Sequence, residues 1–213
     1  MIPVYTASLE TFVRFLEVAA LANAQVTNVA SLARDAAVAR PTVQGYFDVL
    51  TDTLIGAWLP AWRPRAKVKE TSHPKFYLFD CGVARALAGR LREPLDGTER
   101  GALLETLVFH ELRAQVGYGG LGGSLAYYRT PSGTEVDFIW SRGQRAVGIE
   151  VKASARWRPE FGRAVAELHR VGTLSDCFGV YLGERPLQDG PVRVLPLHAF
   201  ARELAAGRVL RAR

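Results

Sequence analysis

The chain has 213 residues, of which 48% are hydrophobic and 23% charged, a globular composition that excludes wholesale disorder and allows one large domain or two small ones. Its net charge of +6 suits a polyanionic partner. The excess is shared equally, +3 in residues 1–95 and +3 in residues 96–213, so a basic surface must be made by folding rather than by a tail.

Leu9 to Ala22 places Phe12, Phe15, Leu16, Ala19 and Ala20 at helical spacing. A short second helix is expected after Asn28, whose side chain suits a helix start, and runs to Asp35. After a turn at Ala37–Ala39, Arg40-Pro41-Thr42-Val43 opens a third helix with proline in its first turn. Three short helices with a tight turn before the third form a helix-turn-helix pattern. Two strand-like runs follow, Leu54–Leu59 and Lys75–Phe79, and would form a wing. Leu32, Val43, Phe47, Leu50 and Leu54 are the expected core of this half. Asp80 to Leu91 reads as a linking helix, and the Arg92–Gly97 loop as the boundary between domains 1–95 and 96–213.

Gly101 to Val116 is helical, with Leu104, Leu107, Val108 and Leu112 apolar. The period then shortens to two. Leu125–Arg129, Thr134–Trp140 and Arg145–Ala153 read as strands joined by turns at Pro131-Ser132-Gly133 and Ser141-Arg142-Gly143. A helix over Pro159–Val171, strands over Phe178–Leu182 and Val192–Leu197, and a last helix over Ala199–Ala206 complete an α/β sandwich with a mixed sheet.

Two strands carry the chemistry. In Glu135-Val136-Asp137-Phe138 the acids share one face, and in Ile149-Glu150-Val151-Lys152 the acid and the lysine do. Neighbouring antiparallel strands bring Asp137 and Glu150 together, and two such carboxylates repel unless a cation sits between them. Mg²⁺ (or Mn²⁺) meets that need, since it takes oxygen ligands and bridges carboxylates to phosphate. Glu105 reaches the site from the preceding helix. Glu111, six residues on, is an alternative that cannot point the same way. Lys152 would orient the attacking water or steady developing phosphate charge. The plainer alternative is a solvated strand face with a Glu–Lys pair. Glu135 is either a supporting neighbour of the ligands or an exposed acid.

For nucleic acid, Arg63, Arg65, Lys67 and Lys69 alternate along the wing and suit phosphate contacts. Arg40, Thr42 and Gln44 on the third helix can read base edges, and Arg156 and Arg158 flank the second acidic strand. Cys81 and Cys177 have no CxxC spacing, so no disulfide framework is expected. The four histidines lack zinc-ligand spacing. Arg14 and Glu17 interrupt the N-terminal apolar run, and no stretch is long enough to span a bilayer, so a cytoplasmic protein is expected. No GxxxxGK[ST] phosphate loop occurs.

Glu105, Asp137 and Glu150-Val151-Lys152 resemble the PD-(D/E)XK nuclease signature of a helix glutamate, a strand aspartate and ExK on the next strand. Arg40-Pro41-Thr42-Val43, Pro74 to Asp80, Gly101 to Glu105, Glu135 to Phe138 and Ile149 to Lys152, in that order, resemble the C-terminal region of prokaryotic AAA-type ATPases, and the likeness covers nearly the whole chain. It implies a winged helix joined to a nuclease-like domain, a Mg²⁺ site on Glu105, Asp137 and Glu150, DNA as substrate, and an ATPase domain ahead of the winged helix, so that the chain is expected to be a fragment or trimmed relative, or to work with a separate ATPase. The expected activity is Mg²⁺-dependent DNA phosphodiester hydrolysis. Two alternatives stay open: a catalytically silent DNA- or protein-binding accessory of an ATPase, and a winged-helix transcription regulator.

Overall fold

The computed structural model describes residues 9–63 and 73–211. The chain divides into two compact units, Met1–Trp58 with His73–Leu95, and Leu59–Ser72 with Asp96–Arg213.

The first unit holds α1 (Leu9–Leu21), α2 (Val29–Asp35), α3 (Arg40–Asp52), β1 (Gly56–Leu59), β2 (Lys75–Leu78) and α4 (Cys81–Leu87). Side chains start the short helices: Asn28 Oδ1 accepts from the Ala30 and Ser31 amides at 3.0 and 3.3 Å, and Asp80 Oδ1 accepts from Val83 N at 2.9 Å. Pro41 sits in the first turn of α3, where its missing N–H costs nothing. An aromatic cluster forms the core, with the Phe47 ring 4.9 Å from Phe15 and 4.7 Å from both Trp58 and Phe76. Asn23 is buried and its Oδ1 accepts the Leu78 amide at 2.8 Å.

Leu54 departs from its expected place in the core. It is 75% exposed, with φ of +62°, because α3 ends there in a left-handed residue and the strand begins only at Gly56. Gly56 is itself required, since a Cβ there would lie 2.2 Å from the Phe76 ring.

The second unit opens with α5 (Gly97–Tyr118), capped by Asp96 Oδ1 on Glu99 N at 2.8 Å. It continues through β3 (Ser124–Arg129), β4 (Glu135–Arg142), β5 (Arg145–Lys152), α6 (Pro159–Arg170), β6 (Asp176–Tyr181), β7 (Leu187–Asp189), β8 (Val192–Pro196) and α7 (Leu197–Ala205). The sheet order is β3-β4-β5-β6-β8-β7. The β3–β4 and β4–β5 pairs are antiparallel, β5–β6 and β6–β8 are parallel, and β7 returns antiparallel on β8. The mixed sheet follows from the chain: tight turns allow antiparallel neighbours, while the α6 crossover delivers β6 parallel to β5.

Helices cover the two faces. Phe109 of α5 stacks on Phe138 at 6.2 Å, while Val165 of α6 packs with Ile139, Leu174 and Val194. Phe138, Ile139, Trp140, Val147 and Ile149 are therefore all fully buried, and β4 and β5 have no solvated face along their middle. The strand β7 was not expected from the sequence, being three residues long and largely exposed.

The segment after β1 joins the second unit through main-chain bonds. Tyr127 N donates to Pro60 O at 2.9 Å, and Trp62 N donates to Tyr127 O at 2.6 Å. Trp62 then packs edge-on against Tyr128 at 6.2 Å.

Candidate metal centre

The site begins where the β4–β5 ladder ends. Paired residues run from Arg142–Arg145 to Phe138–Ile149, which brings Asp137 and Glu150 opposite each other at the next step. There Asp137 Oδ2 accepts the Val151 amide at 2.8 Å, so the carboxylate is held by the backbone of the neighbouring strand. Asp137 is 8% exposed and Glu150 6%, which rules out a solvated strand face for the pair.

Lys152, the last residue of β5, turns its ammonium onto both. Nζ donates to Glu150 Oε1 in a short contact and lies 3.9 Å from Asp137 Oδ2. Glu150 Oε2 is buried and has no hydrogen-bond partner. Burial raises the Glu150 carboxyl well above the ordinary value, the Asp137 charge raises it further, and Lys152 offsets only part of this. Burial pulls Lys152 down, but Asp137 and Glu150 together lift it above the ordinary lysine value.

Glu105 is half-buried on α5, and its charge raises both Glu150 and Lys152. Glu111 is exposed on the same helix. Among the described residues no group of three or more His, Cys, Asp or Glu side chains is placed to hold a metal ion. The close cluster is thus two carboxylates and a lysine, with Glu105 acting at longer range. The donor set still fits a hard divalent cation: both acids offer oxygen, and Glu150 Oε2 is a buried acceptor lacking a donor.

An aromatic ledge stands beside the acids, and sequence reasoning missed it. The Phe161 ring on α6 lies 5.9 Å from Lys152 Nζ and 5.8 Å from the Arg158 guanidinium. Trp157 meets Phe161 edge-on at 5.7 Å and donates from Nε1 to Asp189 Oδ2 at 2.9 Å. Its ring fits only because two glycines face it. A Cβ on Gly179 would be 2.5 Å from Cη2, and one on Gly162 would be 3.3 Å from Cζ2. Gly179 is also the ladder partner of Glu150. The sequence signal was a tryptophan and a phenylalanine four residues apart at a helix start, with glycines in neighbouring elements.

The other candidate residues are dispersed. Glu135 is half-buried, with Oε2 3.6 Å from Arg129 Nη1 on the neighbouring strand. Arg158 caps α6 by its backbone and is exposed; Arg156 is exposed in the preceding loop, where its N–H donates to Ser154 Oγ at 3.2 Å. In the first unit Arg40 and Gln44 are exposed along α3 and line a cavity of about 310 Å³ with Trp58 and His73, while Thr42 is half-buried. Gln44 Nε2 donates to Asp48 Oδ1 at 3.3 Å. Arg63 is exposed; Arg65, Lys67 and Lys69 lie outside the described residues.

Residues 100–200 match the model of a domain of unknown function, DUF4143. That span holds Glu105, Asp137, Glu150 and Lys152 together with the Phe161 ledge. Residues 5–93 match a second domain of unknown function, DUF8612. Two uncharacterized proteins, Mb2031c of Mycobacterium bovis and Rv2008c of Mycobacterium tuberculosis, are each 31% identical over 178 residues, which is 80% of this chain. The aligned part is 38% of the length of each relative. Among the described residues no helix is long and apolar enough to cross a membrane.

Proposed function

We propose that residues 96–213 form a PD-(D/E)XK-like, divalent-metal-dependent DNA phosphodiesterase module, joined to a winged helix-turn-helix over residues 1–95 and working with an AAA-type ATPase. The observation that carries this is the buried Asp137–Glu150 pair with one glutamate oxygen unpartnered and Lys152 against both acids. The element order supports it too, with the acid-bearing strands following a long helix and preceding a crossover helix and a parallel strand.

Asp137 and Glu150 would hold Mg²⁺ or Mn²⁺, supported by Glu105, and the ion would supply positive charge to a phosphodiester oxygen and acidify a water. Asp137 is fixed for this role by the Val151 amide, which leaves it little freedom to turn away. Lys152 supplies a protonated ammonium beside the reacting group, able to steady negative charge that develops on phosphate. Arg158, exposed beside it, offers a guanidinium to the neighbouring phosphate.

The test is cleavage of plasmid or branched DNA with Mg²⁺ or Mn²⁺ by the wild type, Asp137→Ala and Lys152→Ala. Loss of cleavage in both variants is expected. Equal cleavage by all three would discard the assignment.

One observation favours a second reading, a silent DNA- or protein-binding accessory of an ATPase: Lys152 already neutralises part of the acidic pair. In that case the chain binds DNA with a steep salt dependence, and added Mn²⁺ brings no turnover.

A further inference from the structure

We propose that Lys152 is the site's own counter-ion: its ammonium takes the place between Asp137 and Glu150 that a divalent cation would fill, and Phe161 is the positioning residue that receives it when the cation enters. This rests on the metal-dependent reading above and adds the order of events by which the site becomes loaded.

Three observations carry it. First, one ammonium pairs with both acids, with Nζ in contact with Glu150 Oε1 and 3.9 Å from Asp137 Oδ2. Second, a single positive charge leaves the pair undercompensated. Glu150 Oε2 is buried and has no hydrogen-bond partner although Lys152 is in contact with the other oxygen. A dication balances two carboxylates where an ammonium balances one. Third, Lys152 has somewhere to go. Its side chain is 31% exposed, against 11% and 7% for Asp137 and Glu150. Nζ already lies over the Phe161 ring at 5.9 Å, the outer edge of cation–π range, so displacement from the acids can tighten that contact. The acids, one of them tied to the Val151 amide, stay in place while the lysine moves.

Direct competition predicts a sign opposite to that of a supporting residue. Removing the ammonium should strengthen metal binding, whereas removing a group that helps hold the metal should weaken it. Mn²⁺ is titrated into the full chain by calorimetry, with melting followed in EDTA and in Mn²⁺, for wild type, Lys152→Met, Lys152→Arg, Phe161→Leu, Phe161→Trp and the ligand control Asp137→Asn/Glu150→Gln. Lys152→Met is expected to bind Mn²⁺ about ten-fold more tightly than wild type, within the usual range of coupling between two sites. Lys152→Arg keeps the charge and should not gain. In EDTA Lys152→Met melts below wild type, and Mn²⁺ restores it, which keeps the test valid if the metal-free variant is poorly folded. Phe161→Leu should bind about two- to five-fold more weakly, as loss of one cation–π contact implies, and Phe161→Trp should restore binding.

Lys152→Met binding Mn²⁺ no more tightly than wild type, while the ligand control abolishes binding, overturns the counter-ion role and leaves the metal site standing. A gain in Lys152→Arg equal to that in Lys152→Met overturns the charge argument. Unchanged affinity in Phe161→Leu removes Phe161 from the proposal. Absence of Mn²⁺ binding in every variant overturns the metal reading itself.

Discussion

A methyl group added at Gly179 tests the ledge beside the acids. The new Cβ would stand 2.5 Å from Trp157 Cη2, 2.8 Å from Cζ3 and 3.0 Å from Cζ2, all atoms of the six-membered ring of the indole. The ring is also held on two other sides. Gly162 closes in from another side, and Nε1 is tied to Asp189. Overpacking of this kind costs about 1–3 kcal/mol. If the ring swings far enough to break its bond to the Asp189 carboxylate, a further 1.5 kcal/mol or so is lost. We therefore expect Gly179→Ala to destabilise by about 2–3 kcal/mol, which for a chain of this size is a fall of roughly 4–12 °C in melting midpoint. Urea unfolding followed by far-UV circular dichroism measures it, with Trp157→Phe and the double variant completing a cycle. Phenylalanine lacks the outer atoms that the methyl strikes, so the double variant should recover at least about 1 kcal/mol relative to the sum of the singles. Additivity to within about 0.5 kcal/mol, or an unchanged midpoint in Gly179→Ala, would refute the argument that the glycine exists to admit the ring.

Other expectations are simpler. Asn23→Ala leaves the buried Leu78 amide without its acceptor and should cost about 1–3 kcal/mol in urea unfolding. Glu203 bonds Arg208 at 2.8 Å and Arg193 at 2.9 Å, and these bonds, Arg208's first, lower its carboxyl to about 2 from the ordinary 4.5. A lowered carboxyl stabilises the fold above its unfolded value and loses that contribution as pH falls through its folded value. The urea midpoint of wild type should therefore exceed that of Glu203→Gln most clearly above pH 4.5, and the gap should close near pH 2. Cys177 is buried, its Sγ donating to Val165 O at 3.2 Å, and burial followed by the Asp176 charge pushes its thiol up to about 12. In the native protein at pH 8 a thiol reagent should label the half-buried Cys81 first and Cys177 only after denaturant is added.

The sequence was most informative where local rules suffice. Asn28, Asp80 and Pro41 mark helix starts by chemistry confined to one turn, and the structure puts them there. The alternation in Glu135 to Phe138 and Ile149 to Lys152 was enough to bring Asp137 and Glu150 together, because a tight turn fixes the register of two adjacent strands. Their burial was not legible, since it depends on layers built from distant parts of the chain. Leu54 misled for a related reason: an apolar residue at a helix end can be spent on a left-handed turn, and periodicity does not register that. The Phe161 ledge escaped notice because Trp157, Gly162, Gly179 and Asp189 come from four separate stretches that meet only in the folded sheet.

The main-chain bonds between Pro60–Trp62 and Tyr127 bear on any attempt to dissect the molecule. A fragment starting at Asp96 would discard the strip of backbone that shields the outer margin of β3 and would bare Tyr127 and Tyr128. Unsheathed strand margins recruit other chains. Such a truncation is expected to self-associate, and supplying a peptide spanning residues 59–63 should relieve it.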